Sequence, residues 1–381
     1  MIAYWSSIAA LLIAIVGCGY LLAAAVLVRR FARAQTPPTP ATTPKVTILK
    51  PLHGDDAGLT DNLMSFAEQR YAGAVQIVCG VADAHDPAVA VVERLRVSRG
   101  LELIIDATLH GANRKVSNLI NMAPRIRHEV VILSDGDIRV TPDYLARVLA
   151  ALQQPHIGAV TCLYHGVAAS GPWSQLGALF INAHFLPSVV LGLASGLARP
   201  CFGSTIALKR STLDAIGGFA AFADRLDDDY AIGAAVHERG DAVAIPPFTV
   251  AHLCSEVSLG ELWRHELRWA RTIRNIAPLG HAGSIVMHPL AWALGALALT
   301  PWSGLLVPAT AATGAAILCR VMLLRSVARG FGLPPQPYWL VPVRDLLSFT
   351  VFVASFLGRD VSWKGHRYRL FAGKIAGVSQ Q

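Results

Sequence analysis

The stretch Val130-Val-Ile-Leu-Ser-Asp135-Gly136-Asp137 decides how the chain is read. Apolar, mostly β-branched residues run straight into two carboxylates separated by a glycine. Such a run reads as a buried strand of a parallel sheet. Its carboxyl end opens onto the crevice where ligands of these sheets sit. Two hard carboxylate oxygens at that point suit Mg²⁺ or Mn²⁺, ions that keep other positions for phosphate oxygens. Asp and Gly are also ordinary turn residues, so the surrounding sequence must carry the reading.

Working outward, Val46–Leu49, Gln76–Cys79 and Leu101–Ile105 repeat the buried-strand pattern. Between them, Leu59–Arg70 and Pro87–Arg99 have helical patterning. Strands alternating with helices predict an α/β domain, Rossmann-like with a mostly parallel sheet, over residues 45–280. A second acid, Asp83, follows the strand at Gln76–Cys79, where a carboxylate can bond a base or a ribose. Asp86 precedes Pro87 and reads as a helix N-cap. Leu226-Asp227-Asp228-Asp229-Tyr230 places three acids in a row before an apolar helix. A helix start tolerates anions, and one carboxylate there could serve as a general base. In Arg264-His265-Glu266-Leu267-Arg268-Trp269, His265, Arg268 and Trp269 share a helical face. Arg offers a fork for phosphate and Trp a stacking surface. A basic amphipathic helix lying on a membrane would show the same pattern.

The ends of the chain differ in kind from its middle. The whole is 53% hydrophobic and 15% charged, with a formal charge of +8. Ile2–Val28 carries no charge, and a bilayer core needs about 20 apolar residues. The basic cluster Arg29, Arg30 and Arg33 follows the run, which reads as a retained anchor (residues 1–30) with its N-terminus outside. Residues 31–44 contain the Pro/Thr linker Gln35–Pro44. Residues 281–381 read as a C-terminal membrane domain with a basic tail. In it, Ile285–Cys319 is free of formal charge and is broken by Pro301, Gly304 and Pro308, which predicts two helices and a tight turn.

Tyr338–Gly358 is apolar apart from Arg344 and Asp345. These two either pair with each other inside a span, or the segment dips into the interface. Three crossings after an internal domain would leave Lys364, Arg367, Arg369 and Lys374 outside, against the charge rule, so one apolar segment should not cross. Basic residues flanking apolar runs, Arg320, Arg325 and Arg329 among them, favour a bilayer over nucleic acid as the partner. Six cysteines without CxxC spacing read as buried thiols.

Taken in order, Asp83, Asp135-x-Asp137, Asp229 and xxxRW resemble the signature of the ceramide glucosyltransferases and their bacterial relatives, some of which act in hopanoid biosynthesis. Further matches are Ile48-Leu-Lys-Pro-Leu-His-Gly54, Asn113-Arg-Lys-Val-Ser-Asn118-Leu, Asp137-Ile-Arg-Val140, Gly217-Gly-Phe-Ala-Ala-Phe222 and Ser362-Trp-Lys-Gly-His-Arg-Tyr-Arg-Leu370. The resemblance implies an inverting GT-A glycosyltransferase using a UDP-sugar, a divalent metal, a cytoplasmic active site and a lipid acceptor. It implies the bacterial cytoplasmic membrane, with several crossings. By it, Asp83 and Lys115 lie near the nucleotide and Asp135 and Asp137 hold the metal-diphosphate. Asp229 is the base, Arg268 and Trp269 end the last motif, and His184 lies near the acceptor. Two positions depart from the family: His265 stands where Gln or Arg is usual, and Asp135-Gly-Asp137 where the ceramide enzymes commonly have Asp-Ser-Gly. The apolar stretch Leu176–Leu197 is expected in the interface as a lipid entrance. A processive polysaccharide synthase, or a transporter or lipid-binding protein without catalysis, are the competing readings.

Overall fold

A computed structural model describes residues 1–37, 42–54, 58–358, 360–363, 366–371 and 374–377. Part of the linker and Lys364 of the tail therefore lie outside the described residues, as do the side chains of Arg367, Arg369 and Lys374. Helix α1 (Ile2–Ala32) leads into β1 (Val46–Pro51), α2 (Leu59–Ala67), β2 (Val75–Val81), α3 (Pro87–Arg99), β3 (Glu102–Ile105), α4 (Arg114–Met122) and β4 (Val130–Leu133). There follow β5 (Ile138–Arg139), α5 (Tyr144–Leu152), β6 (Ile157–Thr161), β7 (Leu163–Ala168), α6 (Gly171–Phe180), α7 (Leu186–Ala194), β8 (Ile206–Lys209), α8 (Arg210–Ala215) and α9 (Asp228–Glu238). Next come β9 (Ala242–Ala244), β10 (Thr249–Cys254), α10 (Leu259–Ile276), α11 (Pro278–Gly283), α12 (Pro289–Ala298), α13 (Thr300–Ser303), α14 (Leu306–Phe331) and α15 (Val341–Ser355). A tail of β11 (Asp360–Trp363), β12 (His366–Phe371) and β13 (Lys374–Gly377) closes the chain.

The main sheet has the order β3-β2-β1-β4-β8-β6-β9. Its first four strands are parallel, and β8 runs antiparallel between β4 and β6. The expected strands at β1, β2, β3 and β4 are all present, within a residue or two at their ends. Strand β4 is buried at every position, as its apolar run requires. Helix α3 begins where its cap signals put it: the Asp86 side chain accepts from Ala88 N–H, and Pro87 takes the first turn. Helix α2 stops at Ala67 and not at Arg70. A second sheet, β5-β10-β7, leaves the first at the turn after β4.

Among the described residues, three helices are long and apolar enough to cross a membrane: Ile2–Ala32, Gly171–Ala194 and Leu306–Phe331. Helices α1 and α14 run parallel, since Ala10 and Leu11 pack near Ala309 while Val28 packs near Val327. Gly17 lets α12 and the turn before it come close, because a Cβ there would lie 2.9 Å from Pro289 Cβ and 2.5 Å from the Val286 carbonyl. The predicted pair of helices with a tight turn is α12 and α14, joined through α13 and Gly304.

Helix α6 continues into α7 through a π-helical turn at Ile181–Phe185. Pro187 lacks the N–H that would bond the Ala183 carbonyl. Arg320 Nη1 donates to that carbonyl instead, at 2.8 Å. Arg320 also pairs with Asp345 at 2.9 Å, both side chains being 1% exposed. Two expectations are corrected here. Arg320 does not flank an apolar run at the membrane surface; it is a buried interior cation. Arg344 and Asp345 do not pair with each other. Adjacent helical residues point about 100° apart, so Arg344 reaches Glu266 of α10 while Asp345 reaches Arg320 and His184.

With 15 residues, α15 is about 22 Å long, short of the ~30 Å of a bilayer core. Arg271 and Arg274 of α10 bond the carbonyls at its carboxyl end, among them Gly358 O at 2.7 Å. Val361 and Tyr368 of the tail pack on Leu226 of the sheet domain. The tail thus packs on the sheet domain, and α15 is not among the helices long and apolar enough to cross a membrane. In a cysteine-free background, Asp360→Cys and Arg94→Cys should react with an impermeant maleimide from one side of sealed vesicles, and Ile2→Cys from the other. Labelling of Asp360→Cys from the Ile2 side would contradict this arrangement.

Candidate active site

The turn after β4 carries Asp135 and Asp137 out of the main sheet and into β5. Asn62 fixes this turn, its Nδ2 donating to Gly136 O at 3.1 Å. Buried Lys50 of β1 donates to the Asp135 carbonyl, and Asp135 N–H donates to Gly203 O at 3.0 Å. The Asp135 carboxylate is held by Lys115 Nζ at 2.8 Å. Lys115 stands in the first turn of α4, where Asn113 caps the helix by accepting from Val116 N–H. The same ammonium lies 3.3 Å from Asp228.

The three consecutive acids have separate partners. Asp227 forms a two-pronged pair with Arg225 at 3.0 and 2.8 Å. Asp228 is buried against Lys115 and Asn113. Asp229 accepts from Gly203 N–H at 3.0 Å and from Tyr230 N–H at 2.8 Å. Gly203 therefore links Asp135 and Asp229 by its carbonyl and its amide. A side chain is excluded there, since a Cβ would lie 2.5 Å from Asp135 Oδ2 and 2.9 Å from Lys115 Nζ. Burial, then the charge of Asp228, raises the Asp229 pKa to about 7, against the opposing pull of Lys115 and two backbone amides. Burial works to lower the Lys115 pKa, but Asp135, Asp228 and Asp229 outweigh it and the net shift is upward.

Asp137 has a different environment. Its Oδ1 is buried without a hydrogen-bond partner among the described residues, and its Oδ2 lies 3.6 Å from His252 Nδ1. His252 reaches it because β5 and β10 pair with Ile138 opposite His252. An oxygen so placed, with an imidazole beside it, fits a divalent cation that would satisfy both. Among the described residues no three His, Cys, Asp or Glu side chains group as a complete metal site. The remaining ligands of such an ion would come from a bound diphosphate.

On α10, Arg268 faces the acids. Burial lowers its pKa, and the charges of Asp135 and Asp229 are the next largest influences, both opposing. Trp269 lies among rings: His265 at 4.4 Å, His252 at 6.0 Å, Phe180 at 6.1 Å and Phe185 at 6.3 Å between centroids. Phe185 also stacks on Tyr164 at 4.7 Å. This aromatic wall joins the membrane-type helices α6 and α7 to the carboxylates. His265 Nδ1 bonds Glu256 at 2.6 Å. Burial lowers the His265 pKa and only in part is offset by Glu256, so the ring is a neutral donor to a carboxylate.

Of the residues singled out from sequence, Lys115, Asp135, Asp137, Asp229, Arg268 and Trp269 gather in one place. Asp83 is exposed on the loop after β2, its Oδ1 accepting from His85 N–H at 2.8 Å. His184 lies in the π-helical turn, buried, with Nε2 on Asp345 at 2.9 Å and its ring 6.0 Å from that of His288. Sequence reasoning missed Gly203, Asp228, Glu256 and His252. Only the register of β5 on β10 could have found His252.

A profile described as glycosyl transferase family 21 matches residues 9–376. The chain is 24% identical over 350 residues to "Ceramide glucosyltransferase 1" of Caenorhabditis elegans, covering 88% of this chain and 73% of that protein. It is 25% identical over 260 residues to "Ceramide glucosyltransferase 3" of the same organism, covering 65% of this chain and 53% of that one. A solved structure of the mannosyltransferase PcManGT from Pyrobaculum calidifontis, in complex with GDP-Man and Mn²⁺, superposes with a TM-score of 0.55 at 21% identity. That match covers 91% of this chain and 99% of the other, and it is a likeness of fold. The GT-A-like sheet, the gathered carboxylates and a profile match over nearly the whole chain agree: this chain belongs to glycosyl transferase family 21 and is a sugar-transferring enzyme.

Proposed function

We propose that the chain moves a hexose, glucose or N-acetylglucosamine, from a UDP-sugar to a hydroxyl of a membrane lipid, with inversion at the anomeric carbon. The observation that carries this reading is Asp229. It is a carboxylate with its pKa raised to about 7, and Gly203 ties it to Asp135 beside the half-buried cations Lys115 and Arg268. An acid poised near neutrality is suited to accept a proton from a hydroxyl. As Asp229 takes that proton, the acceptor oxygen bonds the anomeric carbon and the bond to the diphosphate oxygen breaks. UDP leaves with the bonding electrons. Lys115 and Arg268 supply fixed positive charge to the departing diphosphate.

Asp135, Asp137 and His252 would hold a Mg²⁺ or Mn²⁺ ion, which when bound adds charge to neutralise the diphosphate. Asp83, at the exposed carboxyl end of β2, receives the uracil or ribose. His265 keeps the last motif in place through Glu256, and Trp269 presents its ring to the site. An α-linked donor gives a β-linked product.

The lipid half is supported by Phe180 and Phe185, which bring the apolar stretch Leu176–Leu197 to the aromatic wall of the site. His184 sets the π-helical turn that aims these rings, on the acceptor side. The similarity to ceramide glucosyltransferases favours ceramide as acceptor, and a hopanoid alcohol offers the same hydroxyl chemistry. The basic residues ending α1 and α14 support a sheet domain facing the cytoplasm from a bacterial cytoplasmic membrane.

Purified chain given UDP-glucose or UDP-N-acetylglucosamine with ceramide or a hopanoid alcohol should yield a hexosyl lipid by mass spectrometry. A polymer product would favour a polysaccharide synthase instead. Asp229→Asn should lower transfer by about 10³-fold or more while UDP-sugar binding survives, and full activity in that variant would remove Asp229 as the base. The rate should fall as pH drops through about 7. In the ligand-free chain the folded Asp229 holds a proton between its ordinary pKa and about 7, and the unfolded chain does not. Stability should therefore decline as pH rises across that window, and Asp229→Asn should abolish this decline in thermal unfolding. Asp137→Asn and His252→Ala should each weaken Mn²⁺-dependent UDP binding by calorimetry about 10-fold or more. Unchanged binding in both would remove them as the metal's ligands.

A further inference from the structure

Helix α15 lies far along the chain from the catalytic carboxylates, yet it holds the helix that carries Arg268. Arg344 Nη1 and Nη2 donate to the two oxygens of Glu266 at 2.6 and 2.7 Å. The side chains are 1% and 3% exposed. Arg344 Nη1 also donates to Leu176 O of α6, and its Nε to Ser348 Oγ, each at 3.1 Å. Its guanidinium lies 5.4 Å from the Phe180 ring, which in turn lies 6.1 Å from Trp269. The next residue, Asp345, is fixed by Arg320 and His184. The end of α15 is fixed by Arg271 and Arg274 from α10 itself. Helix α15 is thus clamped to α14 and the π-helical turn on one side and to α10 on the other.

Glu266 sits between His265 and Arg268. Residues two apart on a helix point to nearly opposite sides, so Glu266 looks toward α15 while Arg268 looks toward the acids. A planar, two-pronged pair fixes rotation as well as distance. Side-chain tips lie about 5–6 Å from a helix axis, so a turn of roughly 20° would carry the Arg268 guanidinium about 2 Å sideways. Displacement of a catalytic group by about 1 Å can cost about 100-fold in rate. A buried ion pair is seldom needed for stability, since apolar residues of similar volume often serve as well. What this pair adds is direction.

We propose that Glu266 and Arg344 are positioning residues, through which α15 sets the rotation of α10 and so places Arg268 over Asp135, Asp137 and Asp229. This rests on the reading of Arg268 as the cation that stabilises the departing diphosphate. The pair touches neither donor nor acceptor and acts only through Arg268.

The test is a double-mutant cycle on the full-length chain in lipid nanodiscs. UDP-glucose, UDP-N-acetylglucosamine and GDP-mannose are offered with total membrane lipid, and the cycle is run with the donor that is consumed. Glu266→Gln and Arg344→Lys should each lower kcat about 10-fold or more, with donor KM changed less than about 3-fold. In an Arg268→Ala background, Glu266→Gln should cost less than about 2-fold further, because the group it aims is gone. If Glu266→Gln does not fold, Arg344→Lys, which keeps charge and most of the volume, carries the same cycle. A full, multiplicative loss in the double variant would overturn the proposal, since that is how a merely structural pair behaves. So would unchanged kcat in both single variants. An Arg268→Ala enzyme of undiminished activity would remove the reading of Arg268 itself, and the proposal with it.

Discussion

The structure depends on four carboxylates, Asp135, Asp137, Asp228 and Asp229, being held together at the carboxyl edge of the sheet and against their mutual repulsion. Each is placed by backbone that adjoins regular structure. Asp135 and Asp137 are carried by a strand buried at every position, and Asp228 and Asp229 by the first turn of α9. Lys115 lies between Asp135 and Asp228, and Arg268 faces the group from across the site. What positive charge does not offset, protonation must, and Asp229 bears it. The same crowding that would be a fault in an ordinary core gives this site an acid near neutrality and a place that attracts cations.

The second constraint is how a polar site can abut apolar helices. The chain meets it by burying its charges as matched groups. Pro187 frees the Ala183 carbonyl, Arg320 satisfies that carbonyl, and Asp345 balances Arg320 and holds His184. Arg344 and Glu266 do the same one residue earlier along α15. Breaking one member of such a group typically costs about 3–5 kcal/mol, because the other charge stays buried without its partner. Helices free to slide in a purely apolar bundle are here held in register with the sheet domain. The aromatic wall of Tyr164, Phe180, Phe185 and Trp269 spans the boundary between the two environments.

Much of this was legible in the sequence where cause and effect are local. The buried strand before Asp135, the cap and proline that start α3, and the break between α12 and α14 each follow from a few adjacent residues. Lys115, Asp135, Asp137, Asp229, Arg268 and Trp269 were also singled out, although a strand-end acid is no guarantee of a place there, since Asp83 stands exposed on its own loop. What the sequence hid is set by pairing at a distance. His252 reads as one more residue of a β-rich run until β10 is laid beside β5. Gly203 has no local mark, because its lack of a side chain matters only once Lys115 and Asp135 close over it. Arg344 and Asp345 were expected either to pair with each other or to lie in the interface, and Arg320 was expected at the membrane edge. Their true partners sit on other helices, 78 positions away for Glu266 and 25 for Arg320.

The account turns on Asp229 holding a proton at pH values where exposed carboxyls have lost theirs. Difference infrared spectroscopy of the wild-type chain against Asp229→Asn, followed across pH, measures this directly. The account predicts a carboxylic-acid carbonyl band that disappears as pH rises through about 7 and is absent from the variant. A band already lost by about pH 5, in the ordinary carboxylate range, would contradict it.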